Sequence, residues 1–110
     1  MNTVHTLREY VDALREAGIL VESTVSDELA AREIHCLTYD TRALSEDALF
    51  ICKGAHFKEE YLRDALSRGA IAYVAEKKHN VDAPCLLVSD IRYSLVVLGQ
   101  LFYNHVTDKL

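Results

Sequence analysis

The sequence predicts an α/β fold of three layers, α/β/α, built around a mostly parallel, mixed sheet. Segments with helical spacing alternate with short apolar runs. The runs at residues 48–52 and 70–75 are apolar throughout rather than alternating, as expected of strands covered on both faces. Gly18 and Gly69 stand where two of the helical patterns stop.

The first helix starts at Thr6, with Leu7, Tyr10, Val11 and Leu14 on one face. Thr6 and Glu9 have the spacing of a capping box, and Gly18 ends the helix. Residues 19–33 mix a short apolar run with Ser, Thr, Asp and Glu and read as a connector, with room for one short strand. Residues 34–39 read as a strand that stops at the polar loop Asp40, Thr41, Arg42. A second strand at 48–52 breaks at Lys53, Gly54, Ala55 and His56.

Helical spacing returns over 57–68, where Phe57, Tyr61, Leu62, Ala65 and Leu66 share one side and Gly69 terminates the helix. Residues 70–75 form the next strand, residues 76–82 a polar segment, and residues 85–88 a further strand after Pro84, the single proline. Ser89 or Asp90 can cap a last helix from Ile91 to about Tyr103. Ligands in such folds gather beyond the strand ends, which directs attention to the loops at 40–42 and 53–56.

With 110 residues, half of them hydrophobic, the chain is long enough for one core and too short for two. Residues 1–110 therefore read as a single domain. A net charge of -5 gives no basic surface for DNA or RNA. A small anionic ligand remains compatible, because a few amides and one or two basic side chains can hold it. Cys36, Cys52 and Cys85 are odd in number and lie in apolar runs, which fits reduced core thiols and a cytoplasmic setting. No secretory signal pattern and no membrane-spanning run is present. Five histidines with no pairing at i+3 or i+4 give no metal site. Lys77, Lys78 and His79 read as a solvated charge run rather than a phosphate site, and Tyr103, Asn104 and His105 as the end of the last helix, placed for packing rather than ligand contact. Asp40 and Arg42 around a hydroxyl form either a ligand loop or an ordinary Asx- or ST-type turn, and Arg42 can brace it through Asp40 or Asp47.

The order of motifs resembles the N-terminal domain of the tripeptide-synthetase branch of the Mur ligase family, which builds peptidoglycan precursors. The string Thr38, Tyr39, Asp40, Thr41, Arg42 is followed by Asp47 to Ile51, by Lys53, Gly54 and Ala55, and by a helix bearing Phe57 and Tyr61. Arg68 to Glu76, Leu86 to Arg92 and Leu101 to His105 follow in the family's order. The likeness covers residues 34–110, about two-thirds of the chain. No single motif is specific; their ordered combination is.

The resemblance implies the Mur ligase N-terminal fold and a domain that binds the uridine end of UDP-N-acetylmuramoyl-L-alanyl-D-glutamate. It puts Thr41 at the family's hydroxyl contact, with Tyr39, Asp40 and Arg42 beside it, and Gly54, Ala55 and His56 in the second nucleotide loop. Thr replaces the commoner Ser at 41, and the second loop is shorter than in many relatives. The wording around residues 53–62 is closer to lysine-adding than to diaminopimelate-adding members. The whole enzyme would use ATP and Mg²⁺, in central and C-terminal domains that lie outside this chain. The chain contains no glycine-rich phosphate loop, so it is expected to be inactive alone and to bind no cofactor. A monomer is expected, without nucleic-acid or membrane partners. The D-Ala-D-Ala-adding ligases, whose N-terminal domain carries a similar signature, and a stand-alone sensor or interaction module of the same fold remain as alternatives.

Overall fold

The computed structural model describes residues 4–53 and 57–107. A five-stranded sheet has the order β1-β5-β4-β3-β2, made of β1 (Leu20–Ser23), β2 (Cys36–Thr38), β3 (Ala48–Ile51), β4 (Ala70–Ala75) and β5 (Cys85–Val88). Strands β2 to β5 are mutually parallel and β1 runs antiparallel to β5. The sheet is mixed and mostly parallel, as the sequence predicts.

Helices α1 (Leu7–Glu16) and α4 (Ile91–Thr107) cover one face, and α3 (Glu59–Arg68) covers the other. Strand alternation sorts the core accordingly. Leu49 and Ile51 of β3 join Leu7, Tyr10 and Leu14 of α1 and Leu98 of α4. Ala48 and Phe50 turn to Leu62 and Ala65 of α3. Every residue of β3 is buried, which explains the unbroken apolar run. Burying a side chain such as Leu49 contributes about 1.5–3 kcal/mol.

Helix α1 begins at Thr6 as its capping spacing predicts, with the Glu9 carboxylate accepting the Thr6 N–H at 2.8 Å. Gly18 has φ 78° and closes the helix: its N–H donates to the Arg15 carbonyl at 3.0 Å and the Ile19 N–H to the Leu14 carbonyl at 3.2 Å. Residues 19–33 hold more structure than a connector, namely β1 and the short helix α2 (Asp27–Ala30), capped by Ser26. Strand β1 is legible only through its partner, since its four residues show no alternation of burial.

Helix α3 begins two residues later than the apolar spacing suggests, and Tyr61 is exposed rather than on the buried side with Leu62 and Ala65. Gly69 ends it at φ 126°. Asp90 caps α4 by accepting the Tyr93 N–H at 3.0 Å, and the helix continues to Thr107 rather than stopping near Tyr103. The connection from β4 to β5, residues 76–84, contains no helix; it packs against α3 through His79, Val81 and Ala83.

Candidate functional site

Because β2 to β5 are parallel, their C-terminal ends share one edge of the sheet. Four segments emerge there: residues 39–43 after β2, 52–53 after β3, 76–79 after β4 and 89–92 after β5. The sequence singles out the first two.

The loop after β2 is rigid by its own hydrogen bonds. Thr38 Oγ1 accepts the Asp40 N–H at 3.0 Å and donates to the Asp40 carbonyl at 3.3 Å. Asp40 Oδ1 accepts the Arg42 backbone N–H at 2.9 Å, which starts a short 3₁₀ turn, Thr41–Ala43. Arg42 then folds back, with Nε 3.2 Å from Oδ1 and a terminal nitrogen 3.1 Å from Oδ2. The Arg42 guanidinium, and after it the Arg42 N–H, holds the Asp40 carboxyl below the usual carboxylate range.

Of the two braces open to Arg42, the structure therefore uses Asp40. Asp47 is paired instead with Arg32. Asp40 and Arg42 thus spend their charge on each other, which leaves the half-buried Thr41 as the loop's central polar side chain. Tyr39 is 56% exposed, and the Lys53 ammonium lies 5.1 Å from its ring centroid. That cation–π contact brings the ends of β2 and β3 together. Gly54, Ala55 and His56 lie outside the described residues.

A cleft of about 590 Å³ opens beside this contact, lined by Lys53, Phe57, Glu76, Lys77, His79 and Arg92 among others. Cys52 and Ala75 at the ends of β3 and β4, and Ile91 at the start of α4, supply apolar lining. The cleft is within the size range of small-molecule sites. Burial pushes the Cys52 and Cys85 thiols up, so both stay protonated and neither is an activated nucleophile. Among the described residues no group of three His, Cys, Asp or Glu side chains could hold a metal ion, and no helix is long and apolar enough to cross a membrane.

His79 is not part of a solvated charge run. Its side chain is 8% exposed, tilted against the Phe57 ring at 5.2 Å and the Tyr73 ring at 5.8 Å, and its Nδ1 lies 3.4 Å from Glu59 Oε1. Glu59 also accepts the Asn80 N–H at 2.8 Å, while Arg63 donates to the Asn80 carbonyl at 2.7 Å. The β4–β5 connection is thereby tied to the start of α3. Sequence reasoning reads Lys77 as part of a solvated charge run and gives Arg92 no site role, because only the strand order shows that their segments meet beside Lys53.

No family model matches the chain. Among curated proteins it is 43% identical over 74 residues to the UDP-N-acetylmuramoyl-L-alanyl-D-glutamate–L-lysine ligase of Streptococcus pneumoniae, covering 67% of this chain and 15% of that protein. The ligase of the same name from Enterococcus faecalis is 41% identical over 88 residues, 79% of this chain and 17% of its own length. That from Streptococcus thermophilus is 46% identical over 74 residues, 67% and 15%. The chain thus spans about a sixth of the length of these relatives. Among solved structures, MurF from Acinetobacter baumannii superimposes with a TM-score of 0.70 at 20% identity, over 88% of this chain and 20% of that one. By its likeness to the lysine-adding ligases and the fold it shares with solved Mur ligases, this chain belongs to the Mur ligase family.

Proposed function

We propose that the chain is the substrate-anchoring domain of an ATP-dependent amide-forming ligase, one that adds L-lysine, or meso-diaminopimelate, to UDP-N-acetylmuramoyl-L-alanyl-D-glutamate. The observation that carries this reading is the coincidence of two things at one sheet edge. The segment to which the resemblance assigns nucleotide contact, Tyr39 to Arg42, forms a hydrogen-bonded loop at the C-terminal end of a parallel strand, and Lys53 contacts that loop from the next strand end. The curated relatives from Streptococcus and Enterococcus, 41–46% identical, are lysine-adding ligases, which supports the lysine-adding reading.

The domain's role is positional. The Thr41 hydroxyl can hydrogen-bond a uracil carbonyl or a phosphate oxygen, while Tyr39 offers an exposed aromatic face. Such contacts are remote from the carboxylate that reacts, and they assist catalysis by holding the substrate in register with the ATP site of the whole enzyme. ATP and Mg²⁺ would bind outside this chain, which has no phosphate-activating glycine loop of its own.

Two measurements test the reading. Titration with UDP-muramoyl-dipeptide should perturb the Thr41 and Lys53 amides more tightly than UDP alone, and the 110 residues should hydrolyse no ATP whether or not that substrate is present. Undisturbed amides at millimolar ligand would remove the anchoring role. Substrate-dependent hydrolysis would remove the division of labour.

A further inference from the structure

The three long helices cover one sheet, yet their outward faces differ in kind. Helix α1 turns Arg8, Glu9, Arg15 and Glu16 to solvent, and α3 turns out Glu60, Arg63 and Arg68. The outward face of α4 carries Tyr93, Val96, Gln100 and Tyr103 instead, and from Tyr93 to Tyr103 the helix has no charged residue. Tyr93 is 47%, Val96 51% and Tyr103 55% exposed, and helical spacing aligns them with Gln100 in one stripe. A single exposed apolar side chain is ordinary, whereas a stripe of them on one helix marks a contact surface.

Gly99 is a second, independent observation. It lies inside the 17-residue helix α4, between Val96 and Tyr103 at the edge of the stripe. A glycine there costs helix stability relative to alanine. Packing within the chain does not require it: a Cβ at Gly99 would meet nothing within 4 Å, and its φ is not positive. The missing side chain leaves room for a neighbouring backbone to come close.

Both features are symmetric about one point. Tyr93 and Tyr103 end the stripe, Val96 and Gln100 flank its midpoint, and Gly99 stands beside that midpoint. Two such helices crossing antiparallel about a two-fold axis set Tyr93 against the partner's Tyr103 and bring the two glycines to the crossing, where backbones approach most closely. Charge points the same way. At a net charge of -5 two copies repel one another, and α4 offers a face on which they meet without opposing like charges.

We propose that the outward stripe of α4 is a self-association surface on which a second copy of this chain docks, α4 against α4, with Gly99 at the crossing. A stripe about 15 Å long and one helix wide buries well under the roughly 800 Å² per partner of a standard interface. The pairing is therefore weak, with a Kd on the order of 0.1–1 mM. At micromolar concentration the chain is the monomer expected from its sequence, and it pairs as the concentration nears that Kd.

Sedimentation equilibrium of the 110-residue chain, from about 10 μM to about 1 mM, tests the assignment on the parent and on Gly99→Ala, Val96→Glu and Tyr61→Glu. Tyr61, on α3 and 42% exposed, is the control for placing a charge at an exposed apolar position outside the stripe. The weight-average mass of the parent should climb from the monomer towards twice that value. Gly99→Ala and Val96→Glu should each weaken association by at least about tenfold, while Tyr61→Glu leaves it unchanged. For Gly99→Ala the melting temperature at the lowest concentration should rise even as association falls. A lower melting temperature would mean that the fold itself requires the glycine, and overturns its place at the crossing. A parent that stays monomeric through about 1 mM overturns the proposal and leaves the stripe to an occupant other than a second copy. Association that survives both Gly99→Ala and Val96→Glu overturns it as well.

Discussion

At the scale of single residues, the loop after β2 shows why a short polar string can mark a site without revealing which member acts. Asp40 and Arg42 neutralise each other, so their sequence prominence reflects loop construction. Thr41, between them, carries the loop's remaining polar side chain and is the ligand contact proposed above. Thr41→Val keeps the shape and removes the hydroxyl, and should weaken UDP by about 0.5–1.5 kcal/mol, roughly two- to twelvefold in Kd, at an unchanged melting temperature. The Asp40 carboxyl titrates below the usual range, so the loop's stabilisation is complete above the ordinary aspartate value and is lost as pH falls through the lowered one. The protection of the Arg42 amide relative to its intrinsic exchange rate should therefore fall on acidification below about pH 4, and Asp40→Asn should remove that pH dependence. Gly69 is fixed by geometry: at φ 126° a Cβ there would lie 2.8 Å from Glu46 Cα. Gly69→Ala should cost roughly 1–3 kcal/mol in denaturant unfolding, whereas a neutral outcome would mean that residues 45–46 yield easily.

Among the elements, those with strong local signals were legible. The apolar stripe and capping spacing of α1, and the unbroken apolar runs of β3 and β4, each state their environment within a few residues. Strand β1 was not legible as such, because it is a four-residue edge strand with Val21 62% exposed and its identity lies in pairing with β5 across some 65 residues of sequence. The segment around His79 is misleading for a related reason: two lysines precede it, yet Phe57 and Glu59, some 20 residues earlier, enclose its ring together with Tyr73 of β4. Glu59 links α3 to this connection, so Glu59→Ala should release residues 76–84 from the helix. Exchange at the Asn80 amide should rise, and the melting temperature should fall slightly. An Asn80 amide that stays protected would show that ring packing alone holds the segment.

For the whole molecule, parallel alignment of β2 to β5 converts four separated polar segments into one edge, and the candidate site is a property of that alignment. Two of the four segments were visible in advance, through the motif at 39–42 and the break at 53–56. The others, bearing Lys77 and Arg92, became part of the site only once the strand order was known. The same view shows where part of the chain's positive charge lies: six of its seven arginines are paired with carboxylates, while Lys53, Lys77 and Arg92 line one cleft. The central claim is that this edge anchors a uridine nucleotide. Its most direct test is an amide-shift titration of the 110-residue chain with UDP in competition with ADP, two ligands that share a diphosphate and differ in their base. The account predicts saturable shifts at Thr41 and Lys53 with UDP and at least about tenfold weaker binding of ADP. Equal affinity for the two, or no shift at Thr41 at millimolar UDP, would contradict it.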